Sequence, residues 1–115
     1  MRMTIRAAIG LCTGLAAVAA IAAEPIEGNW KTASGETAAI AECGGGFCIT
    51  LKSGRYAGKA IGRLEGSGGS YDGTITDPAE DKTYSGSGTV SGGTLRLKGC
   101  VLQVLCKSQT WTRVR

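Results

Sequence analysis

Hydrophobic and polar residues alternate along most of this chain after residue 23, and that alternation predicts β-strands. In Phe47–Lys52 every second residue is large and apolar, and the residues between are Cys, Thr and Lys. Thr94–Lys98 repeats the pattern, with Leu95 and Leu97 on its apolar side. No segment after residue 23 has the 3.6-residue apolar period of a helix. Each run therefore predicts a strand with one face in a core and one in water.

Eight such runs follow one another, separated by short turns such as Gly66–Ser70 and Gly92-Gly93. The predicted strands are Gly28–Thr32, Glu36–Cys43, Phe47–Lys52, Tyr56–Glu65, Tyr71–Thr76, Thr83–Val90, Thr94–Lys98 and Lys107–Val114. Without helices to cover its apolar face, an antiparallel sheet must close on itself or fold into two layers. We therefore predict an all-β domain, a small antiparallel up-and-down β-barrel of about eight strands. A sandwich is the alternative.

The first 23 residues have the organisation of a cleavable secretory signal. Met1–Arg6 carries two arginines, Ala7–Ala20 is apolar and uncharged, and small residues follow in Ala20-Ile21-Ala22. Residues 1–23 are the predicted signal peptide, which leaves a single domain of 115 − 23 = 92 residues, 24–115. This interpretation places the protein in the periplasm or outside the cell. The apolar run is short for a membrane span, so we expect no stable membrane insertion after cleavage.

The charge of the chain argues against a nucleic-acid partner. The formal net charge is +4, and loss of Arg2 and Arg6 with the signal lowers it to +2. The remaining basic residues form no run along the sequence. Nucleic-acid binding requires a clustered basic stripe.

Four cysteines remain after the predicted signal: Cys43, Cys48, Cys100 and Cys106. An even number in an exported chain predicts a disulfide framework. Each cysteine has a second cysteine close to it in sequence, which favours the disulfides Cys43–Cys48 and Cys100–Cys106. Disulfides between the two short loops that these pairs enclose are the alternative. The spacings are wider than those of a zinc ribbon, so no metal is expected.

A tryptophan near the start and an arginine near the end suggest how the barrel closes. Gly28-Asn29-Trp30 lies on the first predicted strand and Arg113 on the last. This arrangement resembles barrels of the lipocalin type, the calycin superfamily. The resemblance implies that the indole and the guanidinium pack together as a cation–π pair and seal one end. Trp111 shares a strand face with Arg113 and is predicted to join this latch.

The order of motifs is also similar to that of an exported bacterial family, the domain of unknown function 2147. The motifs that carry this resemblance are Tyr71-Asp72-Gly73, Asp77-Pro78, Lys82-Thr83-Tyr84-Ser85-Gly86, Leu95–Cys100 and Gln109-Thr110-Trp111-Thr112-Arg113. The chain differs from its relatives at Gly62–Gly69, which is shorter and richer in glycine. Because the family has no established activity, the resemblance implies fold and compartment rather than function.

Little in the chain points to catalysis. It has no histidine, which removes Ser-His and Cys-His chemistry and the usual neutral-pH proton shuttle. Asp77, Glu80 and Asp81 cluster around Pro78. Such residues are typical of an exposed turn, with a calcium site or a glycosidase pair as alternatives. We expect no enzyme and no cofactor.

One loop is more apolar than a solvent loop should be. It lies between Cys100 and Cys106 and contains Val101, Leu102, Val104 and Leu105. We expect this loop either to fold over the open end of the barrel or to offer an apolar contact to a partner.

The function predicted from these features is non-enzymatic binding, with a small apolar molecule in the barrel mouth as the expected ligand. The alternative is an inhibitor of a lysozyme or secreted protease that acts through the disulfide-pinned loops.

Overall fold

The computed structural model describes residues 23–102 and 105–114, and within those ranges every regular element is a β-strand. The predicted signal peptide lies outside the described residues, apart from Ala23. The strands are β1 (Gly28–Lys31), β2 (Thr37–Cys43), β3 (Gly46–Leu51), β4 (Ala60–Ser67), β5 (Ser70–Asp77), β6 (Lys82–Ser91), β7 (Thr94–Val101) and β8 (Leu105–Arg113).

The strands form a closed antiparallel barrel in which each pairs with its sequence neighbour and β1 pairs with β8. The predicted fold class, an up-and-down barrel of eight strands, is confirmed, and the sandwich alternative is wrong. Closure solves the problem posed by the sequence, because a helix-free sheet with one apolar face hides that face inside its own cylinder.

The alternation along each strand decides which side chains fill the interior. Phe47, Ile49 and Leu51 of β3 are buried, as are Leu95 and Leu97 of β7. The core also contains Ile26, Trp30, Ala38, Ile40, Ile61, Leu64, Tyr71 and Trp111. The Phe47 and Tyr71 rings meet edge to face with centroids 5.6 Å apart, a favourable aromatic geometry.

The two ends of the barrel differ. One end carries the β2–β3, β4–β5 and β6–β7 turns, and the segment 24–27 lies against it with Ile26 fully buried. We call this the closed end. The other end carries the β1–β2, β3–β4, β5–β6 and β7–β8 connections and is called the mouth.

One strand begins later than its sequence pattern predicts. The pattern predicts a strand from Tyr56, but β4 begins at Ala60 and the preceding residues form turns. Gly54 and Gly58 take positive φ angles of 84° and 92°, a conformation that turns the chain out of a strand. The Gly58 amide donates to the Leu51 carbonyl at 2.7 Å. Tyr56 therefore lies on a mouth loop.

The barrel wall is incomplete near the mouth. The register between β1 and β8 contains only Trp30↔Arg113 and Lys31↔Thr112. Beyond Lys31 the chain turns away toward β2, while β8 continues back to Leu105. Residues 105–110 are exposed on both faces of β8. The gap between the β1–β2 turn and β8 is called the open flank.

Candidate ligand cavity and barrel latch

The closed end is held by Trp30 and Arg113. Trp30 is fully buried, and the Arg113 guanidinium lies over its ring, 4.2 Å from the centroid. Arg113 Nη1 donates to the Glu27 carbonyl at 3.0 Å, and Nη2 donates to the Pro25 carbonyl at 2.5 Å. The Trp30 indole N–H donates to the Ile26 carbonyl at 2.9 Å. The pair therefore joins the first and last strands and also fixes the segment ahead of β1.

A glycine is required where Arg113 crosses β1. Gly28 has a φ of +130°, which L side chains rarely adopt, and a Cβ there would lie 2.8 Å from Arg113 Nη1. The Gly-Asn-Trp motif thus combines the ring that Arg113 covers with the space that its guanidinium needs.

A second set of contacts anchors the same segment on the opposite side of the barrel. The Glu24 carboxylate accepts hydrogen bonds from the Tyr71 hydroxyl and the Gly68 amide, both at 2.8 Å. Burial, followed by the hydrogen bond to Glu24, raises the pKa of Tyr71. The phenol therefore remains a donor through the neutral range.

A cavity of about 340 Å³ opens at the mouth. Its inner wall is aliphatic and aromatic, and its rim is polar. The apolar lining consists of Leu51, Tyr56, Ile61, Ile75, Pro78, Ala79, Tyr84, Leu97 and Trp111, with Gly99 among them. The polar lining consists of Thr32, Ser34, Glu36, Thr76, Asp77, Lys107 and Gln109. An apolar interior with a few polar groups at one end is the usual form of a small-molecule site.

The structure places Trp111 in this cavity rather than in the latch. Trp111 pairs with Leu95, two residues nearer the mouth than Arg113, and its indole N–H donates to Gln109 Oε1 at 2.8 Å. Arg113 lies over the ring of Trp30. The predicted grouping of Trp111 with Gly28, Trp30 and Arg113 is therefore corrected.

Charged groups stand at the rim on both sides. Glu36 Oε1 accepts hydrogen bonds from the Ser34 hydroxyl at 2.5 Å and the Thr32 hydroxyl at 3.0 Å. The Lys107 ammonium lies 5.6 Å from the centroid of the Tyr84 ring. Hydrogen bonding to Tyr84, then the charges around it, raises the pKa of Lys107. Both a fixed anion and a fixed cation are thus available to a polar group at the rim.

We expect the β1–β2 turn to weaken at acidic pH. Hydrogen bonds from Ser34, then Thr32, lower the pKa of Glu36. A lowered pKa stabilises the fold above the ordinary glutamate pKa, and that contribution is lost as the pH falls through the folded-state value. Thermal midpoints measured between about pH 7 and pH 3 should therefore fall less steeply in Glu36→Gln than in the wild type. Glu42→Gln, which removes an exposed carboxylate from β2, is the control. An identical slope in all three proteins would contradict this expectation.

The two disulfides lie at opposite ends of the barrel. Cys43–Cys48 spans the β2–β3 turn at the closed end, with Cα atoms 5.8 Å apart. Cys100–Cys106 spans the β7–β8 hairpin near the mouth, with Cα atoms 4.0 Å apart. Each cysteine forms its disulfide with the cysteine nearest to it in sequence rather than with a cysteine of the other loop. Two disulfides point to an oxidising environment outside the cytosol.

The described part of the apolar loop does not cover the mouth. Leu102 is 81% exposed and Leu105 is 66% exposed, and neither they nor Val101 line the cavity. Val104 lies outside the described residues. Of the two alternatives for this loop, cover over the barrel or an apolar contact to a partner, the described side chains do not form the cover: Leu102 and Leu105 project from the hairpin into water, and Val101 is half-buried.

The acidic cluster of the sequence serves a turn. Asp77 Oδ1 accepts hydrogen bonds from the amides of Ala79 and Glu80 at 2.9 and 3.3 Å. Asp81 follows with a φ of +54°. The described residues contain no group of three potential metal ligands. Asp77 still reaches the cavity rim, so the turn shapes the mouth.

Sequence reasoning missed most of the cavity lining. Ile75 and Leu97 are on apolar faces that the alternation reveals, but the pattern does not distinguish a residue in a packed core from one that lines a space. Tyr56 was hidden by its assignment to a strand. Gln109 and Lys107 occupy the inward face of β8, and their polarity gave no sign that they face a cavity.

These features define a small closed antiparallel β-barrel with a latched end and a cavity at its mouth. Residues 55–113 match a family described as an uncharacterized protein conserved in bacteria (DUF2147), and the chain belongs to that family. The matched region includes β4 to β8, Arg113 and most of the cavity lining, whereas Trp30 precedes it. No curated protein and no solved structure matches the chain. Among the described residues, no helix is long and apolar enough to cross a membrane.

Proposed function

We propose that this protein is a non-enzymatic binding protein, exported to the periplasm or beyond, that holds a small, largely apolar molecule in the barrel mouth. The cavity is the observation that carries the proposal. Its volume of about 340 Å³ lies at the low end of the range of about 300–1,000 Å³ for ligand pockets. A compact ligand fits this size better than a long acyl chain.

The side chains that line the cavity indicate which end of a ligand would face inward and which would face the rim. Tyr56, Tyr84 and Trp111 present ring surface to the cavity, next to aliphatic side chains. Aromatic side chains supply large contact areas to flat or apolar groups. The polar rim, with Lys107 and Glu36 on it, would receive one polar or charged group. The ligand we infer is therefore amphipathic, with its apolar body inward.

The chemistry of the rim favours binding over catalysis. The sequence contains no histidine. Glu36 is engaged by two hydroxyl donors, and Asp77 accepts two backbone amides. Both carboxylates thus serve the turns that carry them.

A substitution that narrows the mouth of the cavity tests whether the cavity binds a ligand. Ala79 is exposed and lines the cavity rim, whereas Ala33 is exposed at the β1–β2 turn and does not line it. We expect Ala79→Trp to weaken binding of the apolar dye anilinonaphthalene sulfonate at least about tenfold, because an indole there occupies the mouth. Ala33→Trp, the matched control, should bind as the wild type does, and thermal melting should show both variants folded.

Native mass spectrometry of the purified protein gives the second readout. We expect a small molecule that stays with the wild type and is depleted from Ala79→Trp. Absence of any such molecule, together with equal dye binding by all three proteins, would refute the proposal.

A second candidate is an inhibitor of a lysozyme or secreted protease, and the exposed Leu102 on the disulfide-pinned hairpin favours it. A rigid protruding loop can enter an enzyme cleft at low entropic cost. Lysozyme and metalloprotease assays with micromolar protein test this candidate. Inhibition that Leu102→Ser abolishes would support it, and full enzyme activity throughout would rule it out.

A further inference from the structure

The backbone of β8 presents unused hydrogen-bonding groups to the open flank. The Arg113 amide donates to the carbonyl of Gly93, in the turn just ahead of β7, and the Val114 amide donates to the carbonyl of Asn29 of β1, both at 2.9 Å. Because alternate residues of a strand direct their N–H and C=O groups to opposite sides, Cys106, Ser108 and Thr110 direct theirs away from β7 and toward the flank.

Within residues 23–102 and 105–114, no strand takes up these groups. The pairing of β1 with β8 ends at Thr112, and residues 105–110 are exposed. Natural proteins usually protect such an edge with proline, a charged side chain, a bulge or a covering segment. β8 carries one such charge, the inward-facing Lys107, which would disfavour a basic strand but not an acidic one. Residues 105–111 contain no proline, and the register with β7 runs without interruption from Thr112 to Leu105. The edge is therefore regular and open to another strand.

The strands that border this edge, β1, β7 and β8, carry basic residues and no carboxylate, although Glu36 stands across the flank on the β1–β2 turn. Residues 82–115 contain no Asp or Glu, but they contain six basic residues, and β1 adds Lys31. The six are Lys82, Arg96, Lys98, Lys107, Arg113 and Arg115. Arg96 and Lys98 pair in register with Thr110 and Ser108 and are exposed. They share the outward face with those two residues, because paired residues lie on the same side of a sheet.

This charge distribution decides between the two obvious occupants. A second copy paired edge to edge would bring two sets of Arg96, Lys98 and Lys31 together along one sheet that lacks carboxylates on these strands. Like charges so placed repel. An acidic segment would instead meet opposite charge along its outward face.

We propose that the open flank binds an extended acidic peptide segment of a partner protein, which adds a strand to the edge of β8. Its backbone bonds to Cys106, Ser108 and Thr110. Every second side chain points outward, where carboxylates face the basic side chains across the hydroxyls of β8. The side chains between point inward beside Lys107 and Gln109, which line the cavity. Backbone pairing gives affinity in this mode, and alternate side chains give specificity.

The Cys100–Cys106 disulfide prepares the edge for this role. It joins β7 to β8 where β8 has a partner on one side only. A strand already fixed in its extended form loses less conformational entropy when a peptide pairs with it. The proposal is independent of the small-molecule ligand, since it rests on the backbone edge and the basic face rather than on the cavity volume.

The test uses the protein purified after expression of the full chain and a synthetic ten-residue peptide of alternating valine and glutamate. We expect calorimetric binding, and a gain of amide-exchange protection at Cys106, Ser108 and Thr110. A peptide with lysine in place of glutamate should not bind. Amides that already donate to β7, such as Gln109, should change little.

Variants separate backbone pairing from charge. Ser108→Pro removes an edge amide that β7 does not use, and Ser108→Ala removes only the hydroxyl. We expect the first to weaken peptide binding at least tenfold and the second to leave it within twofold. Arg96→Glu with Lys98→Glu should abolish binding. The same double reversal at Lys52 and Lys59, which are exposed and lie near the β3–β4 connection, should not.

Each contrary result has a distinct meaning. If no binding is measured at millimolar peptide, the proposal is overturned. It is also overturned if a folded Ser108→Pro variant binds the peptide as tightly as the wild type, because charge alone would then hold the peptide. Sedimentation as a dimer with the edge amides protected before peptide is added would overturn it in favour of a second copy. Dye binding in the cavity stays the separate readout for the small-molecule site, so failure of one proposal is distinguishable from failure of the other.

Discussion

Replacing Trp30 with alanine should cost about 3–5 kcal/mol of unfolding free energy, which is the usual range for a buried aromatic residue. Trp30 is fully buried beneath the Arg113 guanidinium, and it donates a hydrogen bond to the Ile26 carbonyl. The substitution removes the core side chain, the cation–π contact and the bond that fixes the segment ahead of β1. Because small domains have total stabilities of about 5–15 kcal/mol, a loss of this size would leave the barrel marginally folded. Urea denaturation of the purified variant measures it.

Trp30→Phe is the graded control. It retains a ring beneath Arg113 and loses the indole N–H, so its unfolding free energy should lie between those of the wild type and the alanine variant. Limited proteolysis should cut the segment 23–27 faster in Trp30→Ala than in Trp30→Phe. Equal stability of the alanine variant and the wild type would show that the latch does not hold the closed end.

Gly73→Ala is expected to have the second largest effect. A Cβ at residue 73 would overlap the Arg63 carbonyl oxygen and would lie 2.9 Å from Leu64 Cα. Both are backbone atoms of the paired strand β4, so no side-chain rotation relieves the contact and the strands must separate. We expect a loss of about 1–3 kcal/mol, the usual cost of overpacking.

Gly93→Ala is the matched control for Gly73→Ala. Nothing lies within 4 Å of a Cβ at residue 93, so the stability should stay within about 0.5 kcal/mol of the wild type. Comparing the urea midpoints of the two variants separates the destabilisation caused by the close approach of β4 and β5 from the general effect of replacing glycine. Similar losses in both variants would contradict the structural explanation.

The strands and their order were predictable because they depend on local alternation and on turn residues. Phe47–Lys52 and Thr94–Lys98 carry a period of two that one apolar face imposes. Closure into a barrel followed from the lack of any helix in the pattern to cover that face. Tyr56 was misassigned because its neighbours Gly54 and Gly58 act through positive φ angles, which a hydropathy pattern does not register.

The cavity and the open flank were not predictable from the sequence. Both depend on the difference in length between β1 and β8, strands at opposite ends of the chain that meet only when the barrel closes. A short β1 leaves the side of β8 that faces away from β7 without a partner from Leu105 to Trp111. Trp111 could be recognised as a large core residue, but its position near the mouth follows from its register with Leu95.

The pairing of the first strand with the last also sets the orientation of the molecule on any support. Asn29 and Val114 are hydrogen-bonded neighbours and Glu24 bonds to the Gly68 amide, so Glu24 and Val114 both lie at the closed end, opposite the cavity. Affinity tags or surface couplings placed close to these two residues should therefore leave access to the cavity unobstructed.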